Sequence, residues 1–441
     1  MSQRKRDYLE FKENVLDNVS DTFCAAKWFE VTMWLYMKAN ASCHHNPTHP
    51  IELSDDPSSL HNTPKKIKER QQMLTGKRVD GCSYCWNAED AGIISDRLLK
   101  SYGYTWDDIN KNIPMRVNPK KIEIAFSRSC QLACAYCSPT FSSSWANDLN
   151  TNGSYKLTSN NRFNKDIKNK LIPDDDNQYI QAFFDWWPEL RKDLMVLRFT
   201  GGEPLLHPRF WEFLDLLDSE RKYNGTFIVN SNLIHEKGQV RKFIEKTKFL
   251  TEKGQKVEIH TSCESSLEHA EYTRDGFKGK IWYNNVIDVL ENSRIDITVT
   301  TAINNMSIWS FGEYLKMISK LKDQYGIERV TTNFNRVLYP QWHSLAILPK
   351  KLRNQIANDL KLIFDDLPNL HDEFSIMAFR DLVEYLRNSE FKDPANSEEQ
   401  VLKDAVNFYD QFNKRRNKDI SVLDERYVSW IEKTRQDLIN G

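Results

Sequence analysis

The chain has 441 residues, and its 61 lysines and arginines are met by 62 aspartates and glutamates, for a formal net charge of −1. That balance offers no bulk attraction to nucleic acid or a membrane surface, and no apolar run reaches the ~18 residues of a membrane span. Twelve tryptophans and 12% aromatic residues argue against disorder. The first residues, Met-Ser-Gln-Arg-Lys-Arg-Asp-Tyr, are charged and carry no apolar leader core, so a cytoplasmic location is expected. In that setting eight cysteines read as metal ligands or redox thiols before disulfides.

Residues 1–20 form a polar lead-in with a helical pattern over 8–19. From Cys24 the pattern alternates in part through Trp28, Val31, Met33 and Leu35, which predicts a strand. A turn-rich stretch follows, Ser42-Cys43-His44-His45-Asn46-Pro47. Residues 64–76 read as a basic helix closed by Gly76 in the C-terminal capping position. Then comes Cys82-Ser83-Tyr84-Cys85-Trp86. Cys24, Cys43, Cys82 and Cys85 can together close a four-thiolate site, and spacing alone leaves a structural zinc ion and an iron–sulfur cluster equally open. His44 and His45 could also bind metal, although polar loop residues near a site are the plainer reading.

After a helix and connector over 91–119, residues 121–127 alternate Ile122, Ile124 and Phe126 as a half-buried strand does. The strand runs into Cys130-Gln131-Leu132-Ala133-Cys134-Ala135-Tyr136-Cys137, three cysteines spaced C-x3-C-x2-C. Three thiolates can hold three irons of a four-iron cluster and leave the fourth open to a small molecule. A zinc site usually shows paired motifs instead. Residues 147–176 read as a polar surface insertion, and 177–192 as a helix with Ile180, Phe183, Phe184 and Trp187 on one face. Short strand-like runs at 195–200, 226–230, 257–262, 295–301 and 329–335 then alternate with helical patterns near 208–221, 237–250, 280–292 and 309–324. With 121–127 this makes six β/α units. The expected fold is α/β, a parallel sheet with right-handed crossovers forming an open or partial barrel, since a closed one takes eight. Four amphipathic patterns, 348–367, 372–388, 398–414 and 422–439, read as helices of a packing or lid element.

The second strand of the series ends in Thr200-Gly201-Gly202-Glu203-Pro204. Two glycines at a strand end let another molecule approach the backbone closely, and Glu203 can meet an amino group. This motif one β/α unit after C-x3-C-x2-C resembles the radical S-adenosylmethionine enzymes, and Tyr136 before the last cysteine fits the same pattern. The resemblance implies a partial (β/α)6 barrel. It implies a [4Fe–4S] cluster on Cys130, Cys134 and Cys137, with S-adenosylmethionine chelating the open iron. It also implies an electron donor such as flavodoxin or ferredoxin, and reductive cleavage to a 5′-deoxyadenosyl radical that takes hydrogen from a substrate. Tyr136, Gly201, Gly202 and Glu203 would contact the cosubstrate, as would Ser231 and Asn232 after the third strand, where Leu233 replaces an expected glycine. Ser262 and Arg274 would do so after the fourth, with Arg274 on the carboxylate.

The N-terminal cysteine segment resembles the accessory cluster domains called twitch or SPASM. The matching residues are Cys24, Trp28, Cys43, His61-Asn62-Thr63, Arg70, Met73, Cys82, Cys85 and Trp86. That resemblance favours an auxiliary iron–sulfur cluster over zinc and implies domains at 21–115, 116–345 and 346–441 after the lead-in. Cys263 belongs to neither group. It is a candidate hydrogen donor, and a buried thiol acting as a small hydrophobe is the plainer reading. The expected substrate is a peptide or small amino-acid-like molecule. The alternatives are a nucleotide, sugar or base, or a non-catalytic metal scaffold that binds a partner protein.

Overall fold

The structure, a computed structural model, describes residues 3–105, 107–110, 112–159, 171–172 and 177–440. Its strands in chain order are β1 (Glu30–Trp34), β2 (Ala39–Ala41), β3 (His49–Pro50), β4 (Lys121–Ala125), β5 (Ala133–Cys134) and β6 (Val196–Thr200), then β7 (Thr226–Asn230), β8 (Val257–Ser262), β9 (Arg274–Asp275), β10 (Asp296–Thr300) and β11 (Val330–Thr332). The six strands expected from the β/α alternation are β4, β6, β7, β8, β10 and β11. Each of the first five buries alternate residues, Ile122 and Ile124, Leu197 and Phe199, Phe227 and Val229, Val257 and Ile259, Ile297 and Val299. That period of two follows from the pleat, which turns successive side chains to opposite faces. The chain is a mixed α/β fold with a mainly parallel sheet.

It divides into two compact units, Met1–Ser127 with Lys168–Ile228, and Arg128–Ile167 with Val229–Gly441. In the first unit the sheet order is β6-β4-β1-β2-β3. β1 runs parallel to β4, with Thr32 opposite Glu123, and β4 runs parallel to β6, with Glu123 opposite Arg198. The β2 and β3 strands close the edge antiparallel. Helices Gln178–Leu190 and Pro208–Glu220 cover the apolar face. Phe199 lies 5.2 Å from Phe213 and 5.0 Å from Phe210, and Phe183 lies 5.3 Å from Phe213, ring centre to ring centre. Tilted and edge-on aromatic pairs of this kind add to the burial energy.

The N-terminal part of this unit is held by buried polar bonds. Arg70 donates to Lys27 O at 3.0 Å and Asn62 Oδ1 at 2.8 Å, and also to Met115 O. Trp28 donates to Pro114 O at 3.1 Å. Thr63 caps helix Pro64–Leu74 by accepting from Lys66 N. The strand expected from Cys24 onward begins only at Glu30, because Ala25–Phe29 forms a short helix first.

The second unit carries β11-β10-β8. β8 and β10 pair in parallel with His260 opposite Thr298 and Ser262 opposite Thr300, and β10 pairs with β11 in the same sense. Helix Gly279–Asn292 packs on the apolar face, where Trp282 donates to Thr261 Oγ1 at 2.8 Å. The four expected C-terminal helices form at Lys350–Asp365, Glu373–Asn388, Glu398–Arg416 and Glu425–Asn440. Phe408 of the third stacks on Tyr155 at 5.1 Å and lies 6.4 Å from Trp145. The polar insertion expected over 147–176 is helical at its start. Ser142 caps helix Ser143–Asn152, which buries Trp145, Ala146 and Leu149. Residues 160–170 and 173–176 of that insertion lie outside the described residues. Among the described residues no helix is long and apolar enough to cross a membrane.

Candidate metal centres

In the second unit the C-x3-C-x2-C segment is the loop that follows β4 in the chain. Within it β5 pairs with β9, antiparallel, which sets Cys134 opposite Arg274 and Ala133 opposite Asp275. Gly276 follows at φ +91°, and a Cβ there would come within 2.9 Å of Gln131 O, so the close approach of this turn needs glycine. None of the three is in a disulfide; Cys134 is buried, while Cys130 and Cys137 are half-buried.

Backbone and side-chain bonds fix the loop. Cys130 N donates to Ser143 Oγ at 3.0 Å, and Cys130 O accepts from Ser144 Oγ at 2.7 Å. Trp145 donates to Cys134 O at 2.8 Å. Cys137 N donates to Cys134 O at 2.9 Å, which closes a turn. His343 reaches Ala135 O through Nε2 at 3.0 Å and the Tyr409 hydroxyl through Nδ1 at 3.2 Å. Burial pushes the His343 pKa down to about 3, so the ring is neutral and donates from one nitrogen only.

A buried charge cluster stands beside Cys134. One Arg274 terminal nitrogen lies 3.8 Å from Cys134 Sγ, and its Nε lies 3.7 Å from Glu264 Oε2. Tyr136 donates its hydroxyl to Glu264 Oε1 at 2.7 Å. Glu264 is fully buried and Arg274 only 6% exposed. Burial raises the Glu264 pKa, with Arg274 working against the rise. Burial likewise works against the Arg274 charge, but Glu264, Tyr136 and Cys134 outweigh it and its pKa rises. Burial raises the Cys134 thiol, opposed by Arg274, and pushes Cys137 up to about 12. Three thiols on one loop, one of them facing a guanidinium, suit a cationic metal group that stabilises the thiolates.

The other expected contacts in this unit sit at strand ends. Ser231 Oγ accepts from Leu233 N at 3.1 Å, and Asn232 Oδ1 accepts from Ile234 N at 2.9 Å and Gln131 Nε2 at 3.1 Å. Leu233 has φ +53°, so the left-handed backbone that glycine favours is kept despite the leucine side chain. Ser262 shares a hydrogen bond with Thr300 at 3.0 Å. Cys263 is fully buried, and its thiol donates to Ser265 O at 3.4 Å. Burial pushes its pKa up to about 12. A cavity of about 630 Å³ opens beside β11, lined among others by Thr298, Thr331, Asn333, Lys322 and Asp372, and holds none of the residues expected to act.

In the first unit Gly201 has φ +120°, and a Cβ on it would lie 2.6 Å from Ser127 O and 3.0 Å from the Ala125 Cβ. No other residue fits this turn without moving the backbone. Gly202 N donates to Ser127 O at 3.1 Å. Glu203 is buried, and its Oε1 accepts from Leu205 N at 3.2 Å.

The same unit brings Cys24, Cys43, Cys82 and Cys85 to one cavity, which Lys27, Arg97 and Lys100 also line. None of the four is in a disulfide. Cys24 precedes helix Ala25–Phe29, Cys43 follows β2, and Cys82 and Cys85 flank the start of helix Ser83–Asp90. Burial pushes Cys24 up to about 12 and Cys82 and Cys85 up to about 11, and the neighbouring thiols add to the rise. Lys27 pairs with Glu69 at 2.7 Å, and Arg97 with Glu89 at 2.7 Å. The donor set fits a group bound by four thiolates, whose positive metal would offset their mutual repulsion. His45 lies on the rim of this cavity, bonded to Asp96 at 2.6 Å and stacked on Tyr84 at 3.7 Å. Among the described residues no three His, Cys, Asp or Glu side chains converge closely enough to hold a single metal ion.

Sequence reasoning missed His343 and the role of Glu264. His343 lies 208 positions from Ala135, and nothing local marks a contact of that range. No family model matches the chain, and no curated protein matches its sequence. Among solved structures, the crystal structure of Streptococcus suis SuiB bound to S-adenosylmethionine overlaps 74% of this chain and 77% of that one, at 12% identity and a TM-score of 0.22. An overlap so loose carries no argument, and the functional reading rests on the residues themselves.

Proposed function

We propose that this chain is a radical S-adenosylmethionine enzyme with a partial (β/α)6 barrel over 116–345, an auxiliary cluster domain over 21–115 and a helical region over 346–441. The observation that carries the reading is the loop after β4, with three thiols spaced C-x3-C-x2-C and a buried guanidinium at the middle one. Cys130, Cys134 and Cys137 would hold the cluster. When bound, a [4Fe–4S] cluster supplies the electron that cleaves S-adenosylmethionine to methionine and a hydrogen-abstracting 5′-deoxyadenosyl radical.

The chain's own part is to bind and orient. Gly201 and Gly202 leave a backbone free of side chains, and Glu203 offers a carboxylate to the methionyl amino group. Ser231, Asn232 and Ser262 offer hydroxyl and amide groups at strand ends, where α/β folds place their ligands. Tyr136 stiffens the cysteine loop through Glu264.

Cys24, Cys43, Cys82 and Cys85 would hold a second cluster. Thiols spread around a cavity suit a group with several metal corners better than one ion. The proposed substrate is a peptide or small amino-acid-like molecule, by analogy with enzymes that carry such accessory domains. Cys263 is assigned to the core and not to hydrogen donation.

The test is anaerobic. The chain is reconstituted with iron and sulfide, reduced, and given S-adenosylmethionine. Release of 5′-deoxyadenosine that disappears in Cys134→Ala supports the assignment. A filled three-cysteine cluster that neither binds nor cleaves S-adenosylmethionine points to a non-catalytic scaffold.

A further inference from the structure

Resemblance alone assigns Arg274 to the carboxylate of the cosubstrate. The Arg274 side chain also packs against the cysteine loop. Antiparallel pairing of β5 with β9 sets Arg274 directly across from Cys134, and residues opposite each other in such a pair present their side chains on the same face. Its guanidinium carbon lies 5.8 Å from the ring centre of Tyr136 and 6.0 Å from that of Phe277. One terminal nitrogen faces Cys134 Sγ at 3.8 Å. Its Nε faces Glu264 Oε2 at 3.7 Å, and neither of these two buried atoms has a hydrogen-bond partner. Glu264 is oriented in turn by the Tyr136 hydroxyl at 2.7 Å. The cation is therefore buried, with the Cys134 thiol and the Glu264 carboxylate among its charged neighbours, where a charge acts far more strongly than at a surface.

We propose that Arg274 and Glu264 are an opposed pair of positioning residues that set the reduction potential of the group held by Cys130, Cys134 and Cys137. This rests on the reading that those thiolates hold a cluster. Reduction adds an electron to the metal group. A guanidinium at the Cys134 sulfur stabilises the reduced form and raises the potential, while a carboxylate behind it does the reverse. Hydrogen bonds and charges at cluster sulfurs are established levers on such potentials. Tyr136 keeps the carboxylate in place, so its removal lets Glu264 turn.

The test uses the reconstituted full-length chain, titrated with reductant and followed by electron paramagnetic resonance. The signal of interest is the one absent from Cys134→Ala. Arg274→Met is expected to lower the midpoint of that signal and Glu264→Gln to raise it, with Arg274→Lys near the wild type. Binding of S-adenosylmethionine is measured on the same samples. Opposite shifts support the proposal, because general loosening of the loop would move both variants the same way. Midpoints that stay put, or move together, while iron content holds overturn it. So does an Arg274→Met chain that loses cosubstrate affinity at an unchanged midpoint, which would return Arg274 to the carboxylate. If Arg274→Met does not load iron, Glu264→Gln and Arg274→Lys decide the matter between them. A wild-type chain with no cluster signal dependent on Cys134 refutes the underlying reading instead.

Discussion

At the scale of single residues, His343 shows how much of the cysteine loop is set from far away. It holds Ala135 O, between two of the thiols, and is itself held by Tyr409. Its folded pKa, near 3, lies below the ordinary 6.5, so the folded chain stabilises the neutral ring. That stabilisation is complete above about pH 6.5 and is lost as pH falls toward 3, because the unfolded chain takes up the proton first. Unfolding free energy should therefore fall with acid by up to ~1.4 kcal/mol per pH unit more in the wild type than in His343→Gln. Denaturant titrations at pH 7, 6, 5 and 4 measure this, and parallel slopes would show that the ring is not held neutral. Leu233 makes a second point. The sequence reads as a departure from a glycine turn, yet the backbone stays left-handed at φ +53° around a fully buried leucine. Residue type alone did not reveal this, because packing can outweigh a local cost of roughly 1–2 kcal/mol.

At the scale of elements, the aromatic layer under β4, β6 and β7 holds the first unit's sheet to its helices. Phe199 touches Phe126, Phe183, Phe210, Phe213 and Phe227 and is 1% exposed. Phe199→Ala should cost ~3–5 kcal/mol of unfolding free energy. Phe184→Ala, at a half-buried site on the rim of the same layer, should cost clearly less. Equal costs in urea unfolding would place the core elsewhere. The strands and helices of this layer were legible, since period-two runs and one-sided helical stripes are local signals. The pairing of β1 onto β4 was not, because it joins Thr32 to Glu123 across ninety-one positions by backbone bonds that leave no mark in composition. The two-residue pairing of β5 with β9 is too short to show any period, although it decides what faces Cys134. The helix at Ser143–Asn152 was hidden by its asparagines and serines, which read as loop until Trp145 and Leu149 are seen to be buried on one side.

At the scale of the whole molecule, each unit carries one cysteine group. Cys24, Cys43, Cys82 and Cys85 belong to the first, and Cys130, Cys134 and Cys137 to the second. If both hold four-iron clusters, replacing Cys82 and Cys85 with alanine should take the iron count from about eight to about four per chain. The Cys130 signal should survive. Loss of zinc at constant iron would make the first site a structural zinc site, and constant metal content would leave its thiols without a ligand. Both cysteine groups were legible as groups because thiols are few and their spacing is chemical. Their surroundings, Lys27 and Arg97 at one and Arg274 and Glu264 at the other, come together only in the fold.

The claim on which the rest depends is that the Cys130 loop holds a cluster with an iron open to S-adenosylmethionine. Electron paramagnetic resonance of the reduced, reconstituted chain, recorded with and without that molecule, tests it most directly. The account predicts a signal that changes shape on addition, and neither the signal nor the change in Cys134→Ala. A reduced cluster dependent on Cys134 whose signal is identical with and without S-adenosylmethionine would contradict it.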